Sequence, residues 1–247
     1  MIIKNLSGAA MFKNRDFNSL LKSDDPGQWD EETIWSIFCH ILDRGAPIPG
    51  FKKALLDYKE DFKSVFLKIK TEHKCCFWRF YHQKNGMPIV NPLNVDHLTH
   101  ILHAFSNRLY LKQAPQALLY SLFYIMISHC NINLFYRTQE IDFLFPMYGM
   151  GTVIGDGEFG PFIVIAQQCT IGQNQGEYPT IKGGLWMGPG SSILGCSQIS
   201  YNVRVAAHVF VIDRDTPNKV IVFGSGTDIK FKENNQDNRS LILDQGY

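Results

Sequence analysis

The 247-residue sequence has no surplus of either charge, no paired-cysteine motif, no apolar run long enough to cross a membrane and, over its last hundred residues, a single histidine. Lys plus Arg number 24 against 23 for Asp plus Glu, a net charge of +1. So even a balance provides no field to attract nucleic acid or an anionic membrane, and neither is expected as a partner. Cys39, Cys75, Cys76, Cys130, Cys169 and Cys196 show no CxxC pair or metal-ligand spacing, so neither a bound metal nor a disulfide framework is expected. The opening MIIKNLSGAAMFKNRDF lacks the apolar core of a secretory signal, and a cytoplasmic location follows as the expectation. The most apolar stretch, Ala117 to Ile127, is too short and too polar at Ser121, Ser128 and His129 to span a bilayer, and reads as a buried helix.

What is there changes character near residue 140. Before it, apolar residues recur at three- and four-residue spacing. Trp35, Phe38, Cys39 and Leu42 share one face of a helix with Asp30 as its cap, Glu31 and Glu32 in its first turn, and Gly45 and Pro47 at its end. Further helices are expected from Phe51 to about Lys70, from about Val95 to Leu111, and from Pro115 to about Ser128. His97, His100 and His103 fall in the third, where no carboxylate or cysteine completes a metal set, so they are read as packing or surface residues.

After residue 150 the count becomes six. Val153, Phe159, Ile165 and Ile171 stand six apart, and so do Ile181, Met187, Ile193, Ile199, Val205 and Val211. Four places further on come Cys169, Ser191, Ser197, Val203 and Val209, all small or β-branched. Three flat six-residue strands make one triangular coil, inside which each face holds one aliphatic side chain. The pattern therefore predicts a left-handed parallel β-helix, preceded by a helical domain: an α+β chain with its two kinds of structure segregated. The expected boundaries are 1–140 for the helical domain, 141–232 for the β-helix and 233–247 for a tail. Residues 173–180, QNQGEYPT, break the period and are expected to leave the prism as a loop, a common place for binding groups. Asp213, Arg214 and Asp215 are expected to form a turn with local ion pairs, and Cys169 to be a packing residue rather than a nucleophile.

These stretches resemble the serine acetyltransferases. GTVIGDG (Gly151 to Gly157), QQCTIG (Gln167 to Gly172), YPTI (Tyr178 to Ile181), MGPGSSILG (Met187 to Gly195) and DTPNKVIVFGSG occur in that family's order, behind a helical half of similar length. The resemblance implies acetyl-CoA as co-substrate and a homotrimer, or a dimer of trimers, with its sites between adjacent prisms. It also implies a catalytic His three residues before the Gly of GTVIG with an Asp just ahead of it. Here those positions hold Tyr148 and Met147. The family's loop His and the Arg before it correspond to Tyr178 and Glu177.

Acyl transfer to a hydroxyl needs a base, and histidine, with a reference pKa of about 6.5, suits neutral pH where tyrosine, at about 10, does not. Glutamate in place of arginine repels an amino-acid carboxylate. The candidate catalytic groups are therefore Tyr148, Tyr178, Glu177 and His208, the one histidine of the repeat, expected to point out of the prism. Gly183, Gly184, Ala206 and Ala207 are small enough for a pantetheine arm to approach, and Trp186 is expected to wall the cleft. Lys230, with Lys232 beside it, is the candidate for the CoA phosphates, because Gly226, Thr227 and Asp228 stand where the family carries a basic motif. The expectation is an acyl-CoA-dependent O- or N-acyltransferase acting on a small molecule or sugar other than serine, in surface-glycan or secondary metabolism. The alternative is a catalytically silent trimer serving as a binding or assembly subunit.

Overall fold

A computed structural model describes residues 29–46, 51–78, 81, 87–225 and 227–244. The opening 28 residues, Pro47 and Gly226 lie outside the described residues. Helix α1 (Glu31–Gly45) starts where the Asp30 carboxylate accepts the Thr33 N–H at 2.8 Å, and it buries Trp35, Phe38, Cys39 and Leu42. The helix expected from Phe51 is instead two, α2 (Phe51–Leu56) and α3 (Lys59–Lys74). Between them Tyr58 leaves helical geometry (φ −113, ψ 18) and packs against the core. Helix α4 (Val95–Leu111) is capped by the Asn94 side chain, and α5 (Gln116–Ile125) runs into a π-turn (Met126–Cys130) that Asn131 ends with φ +52. Trp35, Phe38, Phe62 and Phe105 form the aromatic centre of this half, with ring centroids 4.8–6.2 Å apart.

A polar layer lies between α3 and α4. His73, His97, His100 and His103 are all buried, and His100 Nε2 faces Glu72 Oε2 at 3.3 Å. Burial pushes the Glu72 carboxyl up to about 7 and holds His73 and His103 down to about 4, so at neutral pH these histidines are neutral and Glu72 is only partly ionised. The histidines are thus packing residues rather than surface ones.

From Ile132 the chain winds into a three-sided parallel β-helix of about five coils. Its strands in order are β1 (Ile132–Leu134), β2 (Leu144–Met147), β3 (Thr152–Ile154), β4 (Glu158–Phe159), β5 (Ile163–Ala166), β6 (Thr170–Gly172), β7 (Thr180–Ile181), β8 (Leu185–Met187), β9 (Ser192–Leu194), β10 (Gln198–Ile199), β11 (Arg204–Val205) and β12 (Phe210–Ile212). A hairpin of β13 (Val220–Ser225) and β14 (Asp228–Glu233) closes the end. The faces are β1-β3-β6-β9-β12, β4-β7-β10, and β2-β5-β8-β11-β13 with β14 antiparallel at its margin.

The side chains six apart fill the interior as expected: Ile165, Ile171, Ile181, Met187, Ile193, Ile199, Val205 and Val211 are at most 1% exposed. Cys169, Ser191, Ser197, Val203 and Val209 line the corners inside them. Val153 is the exception. It is 39% exposed, and Ile154 takes the inner place, paired with Ile171. The coil from Ile154 to Ile171 advances 17 residues where the one from Ile193 to Val211 advances 18. A turn one residue short changes which side chain points inward, because strand side chains alternate.

Residues 234–244 strap the two halves together. Asn238 Nδ2 donates to the carbonyls of Gly184 (2.8 Å) and Val203 (3.0 Å), while Trp78 Nε1 donates to Leu241 O (2.8 Å). Cys75, Cys76, Phe145, Phe162, Val164, Ile242 and Leu243 make a second apolar core beneath the strap. No helix among the described residues is long and apolar enough to cross a membrane.

Candidate active site

The prism has three edges, and their turns decide which side chains meet. Along the first, joining β2 to β3, β5 to β6, β8 to β9 and β11 to β12, every turn holds a left-handed residue: Gly151 (φ +77), Gln168 (+57), Gly190 (+67) and His208 (+58). Each turn is tied to the one before it, as in Gly190 N–H to Gln167 O and His208 N–H to Pro189 O, both 2.9 Å. A Cβ on Gly190 would meet His208 Nδ1 at 2.5 Å, so the glycine leaves room for that ring. His208 is exposed and points outward, as expected. Tyr148 (φ +54, 63% exposed) stands on the same edge at the first turn, three rungs away, or about 14 Å at the spacing of paired strands.

The second edge carries the ejected loop. Asn174 and Glu177 exchange backbone hydrogen bonds of 3.0 Å, and Asn174 Nδ2 donates to Asp213 Oδ2 at 2.5 Å. Asp213 also accepts the Cys196 N–H (3.0 Å) and Asp215 accepts the Gln198 N–H (2.9 Å). The hydrogen bond from Asn174 holds the Asp213 carboxyl below its usual range. The expected ion pairs are absent among the described residues, and Arg214 lies over the Phe231 ring at 5.4 Å instead. The Tyr178 ring packs beside Gly155, where a Cβ would lie 3.4 Å from its Cε1. Within one chain, therefore, Glu177 and Tyr178 are separated from Tyr148 by the full β1-β3-β6-β9-β12 face.

The small residues fall on two edges. Gly183 (φ +125) and Gly184 (φ +66) form the third edge, where a Cβ on Gly183 would sit 2.7 Å from Pro161 O. Backbone geometry alone accounts for these glycines. Ala206 and Ala207 are on the first edge, against Gly188 and next to His208. Trp186 faces out from β8, with Arg204 over its ring at 5.3 Å and Trp78 at 6.1 Å. Lys230 lies on β14, opposite Phe223. Cys169 is buried, its Sγ donating to Gly188 O at 3.1 Å, and burial raises its thiol pKa.

The main cavity opens where the helices meet the first edge. It encloses about 790 Å³ and is walled by Phe77, Trp78 and Tyr81 after α3, by Asn94, Val95 and Asp96 at the start of α4, and by Pro146, Met147, Tyr148 and Met150. Asp96 binds the two halves here: its Oδ2 accepts the Tyr148 N–H at 3.2 Å, and the Gly149 N–H also donates to its carboxyl. Burial raises the Asp96 pKa above its usual range despite those two donors, and burial together with Asp96 raises the Tyr81 phenol well above its own. Met147 and Tyr148 were marked by their place in the motif. Asp96, Phe77, Trp78 and Tyr81 were not, and the only sign of them is a capping Asn94 followed by exposed Val95 at the start of a helix. Among the described residues no group of three or more His, Cys, Asp or Glu is placed to hold a metal.

No family model matches the chain. It is 36% identical over 86 residues to a serine acetyltransferase of Synechococcus elongatus, a stretch covering 33% of this chain and only 35% of that protein. The fold is that of serine acetyltransferases of known structure. The enzyme of Vibrio cholerae superimposes with a TM-score of 0.69 at 16% identity, covering 88% of this chain and 85% of that one. The enzyme of Neisseria gonorrhoeae gives 0.66 at 20% identity, covering 90% and 85%. The Brucella abortus enzyme in complex with coenzyme A gives 0.61 at 16% identity, covering 88% and 86%.

Proposed function

We propose that this chain, built on the scaffold of the serine acetyltransferases, is an acyl-CoA-dependent acyltransferase whose acceptor is a small molecule other than serine. The observation that carries this is the cavity at the first edge. Met147 and Tyr148, which by motif stand where the family places its Asp and catalytic His, wall a space lined mostly by apolar side chains. In the reaction the acceptor's nitrogen or oxygen attacks the thioester carbonyl, the carbon–sulfur bond breaks, coenzyme A leaves as the thiol, and the acceptor loses one proton. Asp96 is the carboxylate positioned to hold the acceptor, and the Tyr148 phenol is a hydrogen-bond donor for the oxygen that gains charge.

A homotrimer completes the site. It sets the loop of one copy, with Glu177 and Tyr178, against the first-edge cavity of the next. The small side chains Ala206 and Ala207, on that same edge, leave room for the pantetheine arm beside His208, with Lys230 on the neighbouring face for the phosphates. Six free cysteines fit a reducing compartment, so the enzyme is assigned to the cytoplasm.

One observation favours a silent assembly subunit instead: no histidine stands among the described residues that line the cavity. Following thiol release from acetyl-CoA over a panel of amine and alcohol acceptors separates the two readings. Release with such acceptors and none with serine is the expected result. Calorimetric CoA binding without release by any acceptor favours the silent subunit, and release with serine alone overturns the proposed acceptor.

A further inference from the structure

Among the described residues that wall the cavity, no cationic side chain faces its one carboxylate. Phe77, Trp78, Tyr81, Met147, Tyr148 and Met150 supply rings and thioethers, and among the described residues that line the space there is neither a lysine nor an arginine. Asp96 is the one carboxylate among them. Its hydrogen bonds go to the backbone N–H groups of Tyr148 and Gly149, neutral donors that leave the formal charge in place. A carboxylate set in apolar surroundings with no cation among its described neighbours is costly, and burial correspondingly raises the Asp96 pKa. A ligand that brings its own positive charge removes that cost.

From this the geometry points to the acceptor's chemical class: an amine on an apolar, aromatic-sized body, with no carboxylate of its own, whose ammonium group sits against Asp96 and gives up one proton to solvent before the free amine attacks the thioester. Three features of the cavity agree. Its volume of about 790 Å³ lies in the range that accommodates ligands far larger than a free small amino acid, which occupies only a few water volumes of about 30 Å³ each. Its aromatic walls bury the ligand's apolar body and offer ring faces that attract a cation. A zwitterion such as serine or phenylalanine would place its own carboxylate where no described side chain is cationic. The inference rests on the acyltransferase reading only in calling the occupant an acceptor.

Binding to the full-length protein, measured by calorimetry without any acyl-CoA, tests it with three probes that share one ring. Phenethylamine carries the ammonium alone, phenethyl alcohol is neutral, and phenylalanine adds a carboxylate. The amine is expected to bind at least about tenfold more tightly than either of the others, a margin of about 1.4 kcal/mol. In Asp96→Asn that preference disappears while the alcohol binds as before. In Phe77→Ala all three ligands weaken together.

Phenylalanine or the alcohol matching the amine in the unaltered protein overturns the proposal, as does failure of the amine to bind. These three comparisons need no variant, so they decide the matter even if Asp96→Asn does not fold. A preference for the amine that survives in folded Asp96→Asn also overturns it, since Asp96 is then only a clamp between the halves. The enzyme reading is separate: amine binding with no thiol release from acetyl-CoA defeats the transferase and leaves the amine site standing.

Discussion

Ile193 shows how one side chain secures this fold. It is fully buried and stacks between Ile171 and Val211 on adjacent rungs, so truncation leaves a void that its neighbours on a closed prism cannot easily fill. Ile193→Ala is expected to cost about 2–5 kcal/mol and to lower the melting temperature on the order of 10 °C. Ser192→Ala, one residue earlier and facing outward, is expected to stay within about 0.5 kcal/mol. Equal effects in a melting experiment would contradict the inward assignment. That assignment was legible from the six-residue count, because only one aliphatic chain per face fits inside each coil. The count failed by one place at Val153, since a turn that drops a residue leaves no mark in a chain where Val153 and Ile154 are both β-branched and apolar. Similarly, Tyr148, which lines the cavity, was marked by its motif, while Asp96, which also lines it, was not, because an acid in the first turn of a helix already has an explanation in the helix dipole.

At the scale of elements, α3 and α4 meet through the buried layer of Glu72 and the histidines, and the layer sets how stability responds to acid. His73 and His103 have folded pKa values of about 4 against an ordinary 6.5, so unfolding binds protons between those limits and their contribution is lost as pH falls. Glu72 runs the other way. Its folded pKa of about 7, against 4.5, makes its contribution greatest below pH 4.5 and lost as pH rises through 7. Each shift corresponds to roughly 3 kcal/mol at most, so the two histidines outweigh the one carboxyl. The other charged groups near Glu72 are Lys68, with its partners Glu140 and Asp142. Denaturant midpoints are expected to fall from pH 6.5 to pH 4, and to fall more steeply in Glu72→Gln, which lacks the opposing gain. A shallower acid slope in that variant would refute the balance. The helices around this layer were readable from apolar spacing and caps. The burial of HLTHILH was not, because a histidine at helical spacing serves equally on a surface or in a core.

For the whole molecule, the main question is why a prism that buries its interior so fully leaves apolar side chains outside. Met150 and Val153 are 53% and 39% exposed, and Phe210 shares the outer row of the β1-β3-β6-β9-β12 face with Val153 at 39%. This face separates the Tyr148 edge from the Tyr178 edge, so in the proposed homotrimer, packing it against a second copy would cover Val153 and Phe210 and bring one copy's loop to another's cavity. A closed ring of three such contacts repeats the arrangement without leaving an unmatched surface. A site divided in this way has a consequence that a site within one chain lacks. Asp96→Asn removes the cavity side and Tyr178→Ala the loop side, so each variant alone is expected to lose most activity with the acceptor. When the two are unfolded, mixed in equal amounts and refolded together, about a quarter of the interfaces pair an intact cavity with an intact loop by random association. Activity is expected to return to about that fraction of the unaltered protein's, whereas a mixture no more active than its parts would place the whole site within one chain.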